Sequence, residues 1–324
     1  MRSMTEAKVK FPEASVYVRE LGDGPPVLLI GGIGAHTAMW EPLERVLGGF
    51  RIVEFDLPGA GQSDVPWKPI SVPRLARLTV SVMDKVGIER ADVIGHSMGG
   101  IVAQQLAADA PERVRRLVLA STSPGLGSVY GDFKAILNIT TPLRYLTPAL
   151  YQMSIGSLVG GRARHDKEWV AEQGKLRRIH APSWRGYLGQ LLSLSTWSGL
   201  PLLAGIRHPA LVLAGDDDPL TPLANGLLIT HLLPRGRLIV FPGEGHLMLM
   251  DDESRSHAAI LDFLEAEPLE RSAVWQEAAT VDAAELKTAV AGKDWQLPPL
   301  SVVSALVRRR WLSSANRGTP SNRG

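Results

Sequence analysis

The sequence predicts an α/β fold: a mostly parallel central sheet with helices on both faces and an inserted helical cap. Three observations carry that expectation. Short apolar runs alternate with helix-like stretches along most of the chain. The later runs are dense in Val, Ile and Leu without polar alternation, as strands buried on both faces must be. Between Ser123 and Leu203 the alternation stops, and helical patterns follow one another with no strand between them.

In chain order, strands are expected at 15–19, 27–31, 51–55, 91–94, 116–120, 210–214 and 237–241. Helices are expected at 72–86, 98–110, 222–233 and 254–265, and within the interruption at 167–179 and 184–192. The chain thus divides into a core (1–122 and 204–268), a cap (123–203) and an extension (269–324). A cap inserted there sits above the carboxyl edge of the sheet, where open α/β sheets bind ligands. Leu150, Met153, Trp184 and Trp197 of the cap, with His96 of the core, are candidates to line an apolar substrate pocket. The plainer reading of the cap residues is that they pack cap on core. In the extension, 282–291 reads as a short helix. Residues 302–312 run apolar then basic, with Arg308, Arg309 and Arg310 beside Trp311. That pattern suits a helix lying on a granule or membrane surface; the plainer reading is a partly disordered solvated tail.

Composition narrows the function. With 324 residues there is enough chain for one large α/β domain and an insertion. The net charge of +2 gives no broad electrostatic attraction to nucleic acid. The lack of cysteine excludes disulfides, thiol catalysis and Cys-based metal sites, and fits a cytoplasmic protein. Residues 1–10 are polar and charged, unlike a signal peptide, and no apolar run approaches the ~20 residues needed to span a bilayer. No phosphate-binding Gly-rich loop ending in Lys and no paired histidines at metal spacing appear, so no metal or organic cofactor is expected.

The chemistry centres on Gly95-His96-Ser97-Met98-Gly99-Gly100, at an expected strand-to-helix turn. A serine between glycines there is a nucleophile elbow, which pushes the hydroxyl clear of the sheet at a helix N-terminus. Such a serine needs a base, and the base an orienting acid, in the chain order Ser, Asp, His. The strand at 210–214 runs into Gly215-Asp216-Asp217-Asp218-Pro219. Asp218 is the candidate acid, just before the Pro-bearing turn; Asp216 and Asp217 read as loop charges or caps. The strand at 237–241 leads into Gly243-Glu244-Gly245-His246, and His246 is the candidate base. His36, His165, His180, His208, His231 and His257 fall in helices, the cap or surface loops, and His96 points away from the serine on the elbow. The oxyanion donors are expected to be the backbone N–H of Met98 and that of Ile33, in Gly31-Gly32-Ile33-Gly34. The alternative is that these glycines only make a tight turn. Asp56-Leu57-Pro58-Gly59-Ala60-Gly61-Gln62-Ser63 reads as architecture. Serine rather than aspartate at the elbow points to esters, thioesters, related acyl groups or activated C–C bonds.

Together these motifs resemble the α/β-hydrolase superfamily over Val27 to Glu265. The chain looks most like the intracellular medium-chain-length polyhydroxyalkanoate depolymerases of bacteria. The likeness rests on Gly32-Ile33-Gly34-Ala35, Ala103-Gln104-Gln105, Pro111-Glu112-Arg113, Pro142-Leu143-Arg144-Tyr145, Gly160-Gly161 and the 214–220 run. It differs at the elbow, where His96 and Met98 stand in place of that group's Val and Trp, as in general esterases and lipases, and at Gly31, where Asn or His is usual. The resemblance implies hydrolysis of stored polyesters inside the cell by Ser97, Asp218 and His246, on an ester with an apolar acyl chain. The competing readings are a general carboxylesterase or lipase, a cofactor-free haloperoxidase or C–C hydrolase, and a non-catalytic granule- or ligand-binding protein.

Overall fold

The computed structural model describes residues 3–291. Eight strands form one sheet in the order β1-β2-β4-β3-β5-β6-β7-β8. They are β1 (Met4–Lys10), β2 (Ser15–Leu21), β3 (Pro26–Ile30), β4 (Arg51–Phe55), β5 (Ala91–His96), β6 (Val114–Ala120), β7 (Ala210–Gly215) and β8 (Gly236–Phe241). From β4 to β8 all neighbours are parallel; β1 and β2 are added antiparallel at one edge. β1 was not expected. It pairs only with β2, and six of its seven residues are exposed, so it has no buried face to leave an apolar pattern.

Twelve α-helices occur among the described residues. α1 (Glu41–Val46), α2 (Val72–Lys85) and α3 (Met98–Asp109) belong to the first half of the core. α4 (Phe133–Ile139), α5 (Pro148–Val159), α6 (Lys167–Ile179), α7 (Trp184–Ser195) and α8 (Leu200–Leu203) fill the interruption between β6 and β7. α9 (Leu223–Leu232), α10 (Ser256–Glu265), α11 (Ala273–Glu277) and α12 (Ala283–Ala291) complete the chain. Three cap helices start on side chains that accept an orphan amide: Thr147 for α5, Asp166 for α6 and Ser183 for α7. α4 went unmarked because it spans only seven residues, and α5 because it has no polar face that sets its period apart from its loops.

Alternate strand residues feed two cores. Leu28, Ile30, Val53, Val93, Leu119 and Val212 face α2, α3 and α9. Leu29, Ile52, Ile94, Val118 and Leu213 face α1 and α10, and that core runs on without a break into the cap through Tyr145, Tyr151 and Trp169. The extension is docked as far as it is described. Trp275 stacks on Phe263 at 5.4 Å, Leu238 and Ala279 exchange backbone hydrogen bonds at 2.8 and 2.9 Å, and α12 packs on α9. The apolar-then-basic run at 302–312 lies outside the described residues.

α3 crosses β3 at very close range. A Cβ on Gly99 would lie 1.9 Å from the Ile30 carbonyl oxygen. Gly99→Ala is therefore expected to cost roughly 2–3 kcal/mol, near the upper range for overpacking. Thermal unfolding should show a fall of about 3–5 °C. A melting temperature unchanged within error would mean that α3 has room to move, and would overturn this account of the elbow.

Candidate active site

The elbow places its serine by backbone strain. Ser97 adopts φ 54° and ψ −120°, a region costly for any residue with a Cβ, of order 1–3 kcal/mol. Its neighbours hold it there. Its N–H donates to the Ala120 carbonyl at 3.0 Å, and its carbonyl accepts from the Thr122 hydroxyl at 2.7 Å. The Oγ then stands at the start of α3, beside the loop after β3.

Asp218 follows β7 and His246 follows β8, and the structure brings both to Ser97. His246 Nε2 is 3.0 Å from Ser97 Oγ, and His246 Nδ1 is 2.8 Å from Asp218 Oδ2. Asp218 is itself fixed: the N–H groups of Leu220 and Thr221 donate to Oδ1 at 2.9 and 2.8 Å, and the Thr221 hydroxyl donates to Oδ2. Asp218 and His246 are both buried. In this geometry an imidazole can take a hydroxyl proton while a carboxylate fixes its tautomer.

The oxyanion candidates flank the serine. Ile33 lines the cavity above Ser97, and Gly32 lies so close that an added Cβ would be 3.1 Å from that of Ser97. The Gly34 N–H is spent on Gln190 Oε1 at 2.8 Å and that of Ala35 on the Gly32 carbonyl at 3.1 Å. Among the described residues no acceptor engages the N–H of Ile33 or of Met98. Asp56 braces this loop, accepting from the N–H of Thr37 and of Gln62, each at 2.7 Å.

His96 lines the same cavity without touching Ser97 Oγ. Its Nε2–H donates to the His246 carbonyl at 2.7 Å, which fixes the backbone of the candidate base. Burial, with the His246 imidazole beside it, pushes its pKa down to about 3. The other pocket candidates lie elsewhere. Leu150, Met153 and Trp184 are 40%, 81% and 47% exposed on the outer surface of the cap. α5 turns Tyr151, Ile155 and Leu158 inward instead, on the opposite side of its helical period. Trp197 is buried, but away from the cavity: it packs with Val72 and Ile101, and its indole N–H donates to Gln105 at 2.6 Å.

Several residues that hold the site were not assigned that role from the sequence. Val159, at the end of α5, accepts the His246 N–H at 2.7 Å. Asp217 is a latch rather than a free charge: it accepts from the Gly161 N–H at 2.7 Å and pairs with Arg164 at 2.7 and 2.9 Å. The Arg164 hydrogen bonds hold its carboxyl below the usual range. Gln190 of α7 ties the cap to two core loops, donating to the Pro58 carbonyl at 3.1 Å as well as accepting from Gly34. The Gly160-Gly161 pair and the middle carboxylate of the Asp216–Asp218 run were the available signals.

Fold and site together define a class. The family profile described as the alpha/beta hydrolase fold matches residues 25–253, and the chain belongs to that family. It is a hydrolase. The chain is 35% identical over 243 residues to a poly(3-hydroxyalkanoate) depolymerase of Ectopseudomonas oleovorans, covering 75% of this chain and 85% of that one. It is 28% identical over 271 residues to a 2-hydroxy-6-oxononadienedioate/2-hydroxy-6-oxononatrienedioate hydrolase of Comamonas testosteroni, covering 77% and 91%. The crystal structure of a hydrolase from Pseudomonas aeruginosa PA01 superposes with a TM-score of 0.68 at 29% identity, covering 81% and 98%. No helix among the described residues is long and apolar enough to cross a membrane.

The buried histidines make stability depend on pH. Burial, with Arg177 nearby, pushes His36 down to about 4, so His36 and His96 are both neutral in the native state. An unfolded histidine takes a proton near pH 6.5. The unfolded chain therefore binds more protons than the folded one as pH falls from about 6.5 toward the native values. Stability should be whole above pH 6.5 and drop below it, by up to ~1.4 kcal/mol per pH unit for each histidine. His36→Gln keeps a donor for the Leu176 carbonyl and should flatten the melting curve's dependence between pH 6.5 and 4.5. An unaltered dependence would show that His36 titrates freely in the folded protein.

Proposed function

We propose that the protein is a serine ester hydrolase of the polyhydroxyalkanoate-depolymerase kind, acting on medium-chain hydroxyacyl or acyl esters. The observation that carries this is the line from Ser97 Oγ through His246 to Asp218, at 3.0 and 2.8 Å. The 35% identity to a poly(3-hydroxyalkanoate) depolymerase supports the substrate class. On this reading, Ser97 Oγ attacks the ester carbonyl as its proton passes to His246 Nε2. Asp218 stabilises the imidazolium. The N–H groups of Ile33 and Met98 hold the oxyanion. His246 gives the proton to the departing alcohol. It then takes one from water, whose oxygen attacks the acyl carbon and releases the acid and the Ser97 hydroxyl. The cytoplasm, where such polyesters are stored, is the expected place of action.

The cavity is lined by Met39, Ile139, Ile155, Leu158, Leu220 and Leu247, which suits an acyl chain. Its volume is about 40 Å³, room for a few waters. A long chain therefore reaches Ser97 only if the cap shifts, with the Asp217 latch among the contacts that must yield.

The test is hydrolysis of a p-nitrophenyl acyl ester series and of an emulsified medium-chain polyhydroxyalkanoate. Ser97→Ala should lower kcat by about 10³-fold or more, with the melting temperature preserved. Full turnover by that variant would overturn the serine mechanism. Ester hydrolysis without polymer clearing would instead make the protein a general carboxylesterase or lipase.

A further inference from the structure

We infer that the esters hydrolysed here carry a carboxylate remote from the scissile bond, and that Arg177 receives it. The inference rests on the hydrolase reading above and names the substrate of that same site. Arg177 lies in the last turn of α6 and lines the cavity that holds Ser97. It is only 7% exposed, and two of its nitrogens, Nε and Nη2, have no hydrogen-bond partner. Among the described residues no Asp or Glu comes within ion-pair distance of it. A buried cation without a counter-charge is unfavourable until something anionic is placed against it.

The second arginine of the cavity shows the contrast. Arg144 donates from Nη1 to the Asn138 and Thr141 carbonyls at 3.2 and 2.9 Å, and from Nη2 to the Tyr145 and Tyr187 hydroxyls at 3.1 and 2.9 Å. Its fork is spent on holding the cap together. Arg177 keeps a free edge. The Tyr145 and Tyr151 hydroxyls are the polar groups nearest to it, and that of Tyr151, buried in the same cavity, makes no well-formed hydrogen bond. The guanidinium edge and the Tyr151 hydroxyl can both donate, so the place is built for an acceptor.

The free nitrogens select the acceptor. Nε and Nη2 form one edge of the guanidinium, and their parallel N–H groups match the two oxygens of a carboxylate. The rest of the wall is apolar, including Ile139, Ile155 and Leu158. That suits a hydrocarbon spacer between ester and carboxylate. A phosphate dianion would need more donors than one edge supplies. The carboxylate could sit on either side of the ester: on the acyl group of a dicarboxylic half-ester, or on the alcohol, as at the carboxyl end of a hydroxyacid oligoester.

Two matched pairs separate these sources. p-Nitrophenyl hexanoate and the p-nitrophenyl monoester of adipate differ by a carboxylate on the acyl side. Methyl 3-(hexanoyloxy)butanoate and its free acid differ by one on the alcohol side. Wild type should prefer the carboxylate member of one pair by about 10-fold or more in kcat/KM, chiefly through KM, as expected for charge-assisted hydrogen bonds. Arg177→Gln should erase that preference, the carboxylate member losing about 10-fold in kcat/KM relative to its neutral partner. No carboxylate preference in either pair, or a preference that survives Arg177→Gln, overturns the inference while leaving ester hydrolysis standing. If Arg177→Gln does not fold, the wild-type preference decides, together with its reduction in Arg177→Lys. If no ester is cleaved, the hydrolase reading fails. The inference is then decided by whether adipate raises the melting temperature of wild type and not that of the folded Arg177 variant.

Discussion

The pressure of α3 against the sheet is the contact on which the site depends. Gly99 lets the helix approach until the Ile30 carbonyl occupies the space a side chain would need. That approach forces the turn at Ser97 into positive φ, and the Ala120 and Thr122 contacts keep it there. Strain at this one residue is set against the burial of a whole helix and two strands, so it persists at small relative cost. The position of the Oγ, the amide of Met98 and the start of α3 all follow from the same crossing. β7 and β8 are added to the same parallel run, so the loops carrying Asp218 and His246 emerge at the same edge.

The cap is part of this machinery rather than a cover added to it. The His246 backbone is gripped from two sides, by the Val159 carbonyl of the cap and by the His96 ring of the core. A Cβ on Gly245 would lie 2.2 Å from that Val159 carbonyl. The turn at Gly160-Gly161 must therefore be seated for His246 to take its place. Asp217 and Gln190 do the seating at opposite ends of the cap. The same contacts that align the imidazole also close the cavity, so access and alignment are coupled through the position of α5.

The sequence made the parallel strands legible because burial on both faces leaves unbroken apolar runs. It made Ser97, Asp218 and His246 candidates because each sits where a strand ends in a glycine- or proline-marked turn. The structure brings these three together. It did not make β1 legible, since an exposed edge strand needs no apolar residue. Nor did it separate the two sides of α5. Leu150 and Met153 are as apolar as Tyr151 and Ile155, and only the direction of approach of the core decides which pair faces inward. Arg177 was invisible for a similar reason: a basic residue in the last turn of a helix is ordinary, and its burial is set by neighbours distant in sequence.

Charge around the cavity is distributed unevenly. The negative charge of Asp218 is met by two amides, a hydroxyl and an imidazole. That of Asp217 is turned outward to Arg164. His36 and His96 are held neutral by burial. Arg144 is wrapped by carbonyls and phenols. What remains is one guanidinium edge, beside the Tyr145 and Tyr151 hydroxyls in an otherwise apolar wall, and no carboxylate among the described residues pairs with it. In a low-dielectric space a fixed charge of that kind discriminates strongly between neutral and anionic ligands, because attraction and desolvation are both unscreened. The apolar walls would accept many acyl chains alike. Selectivity in this cavity therefore falls to the arginine.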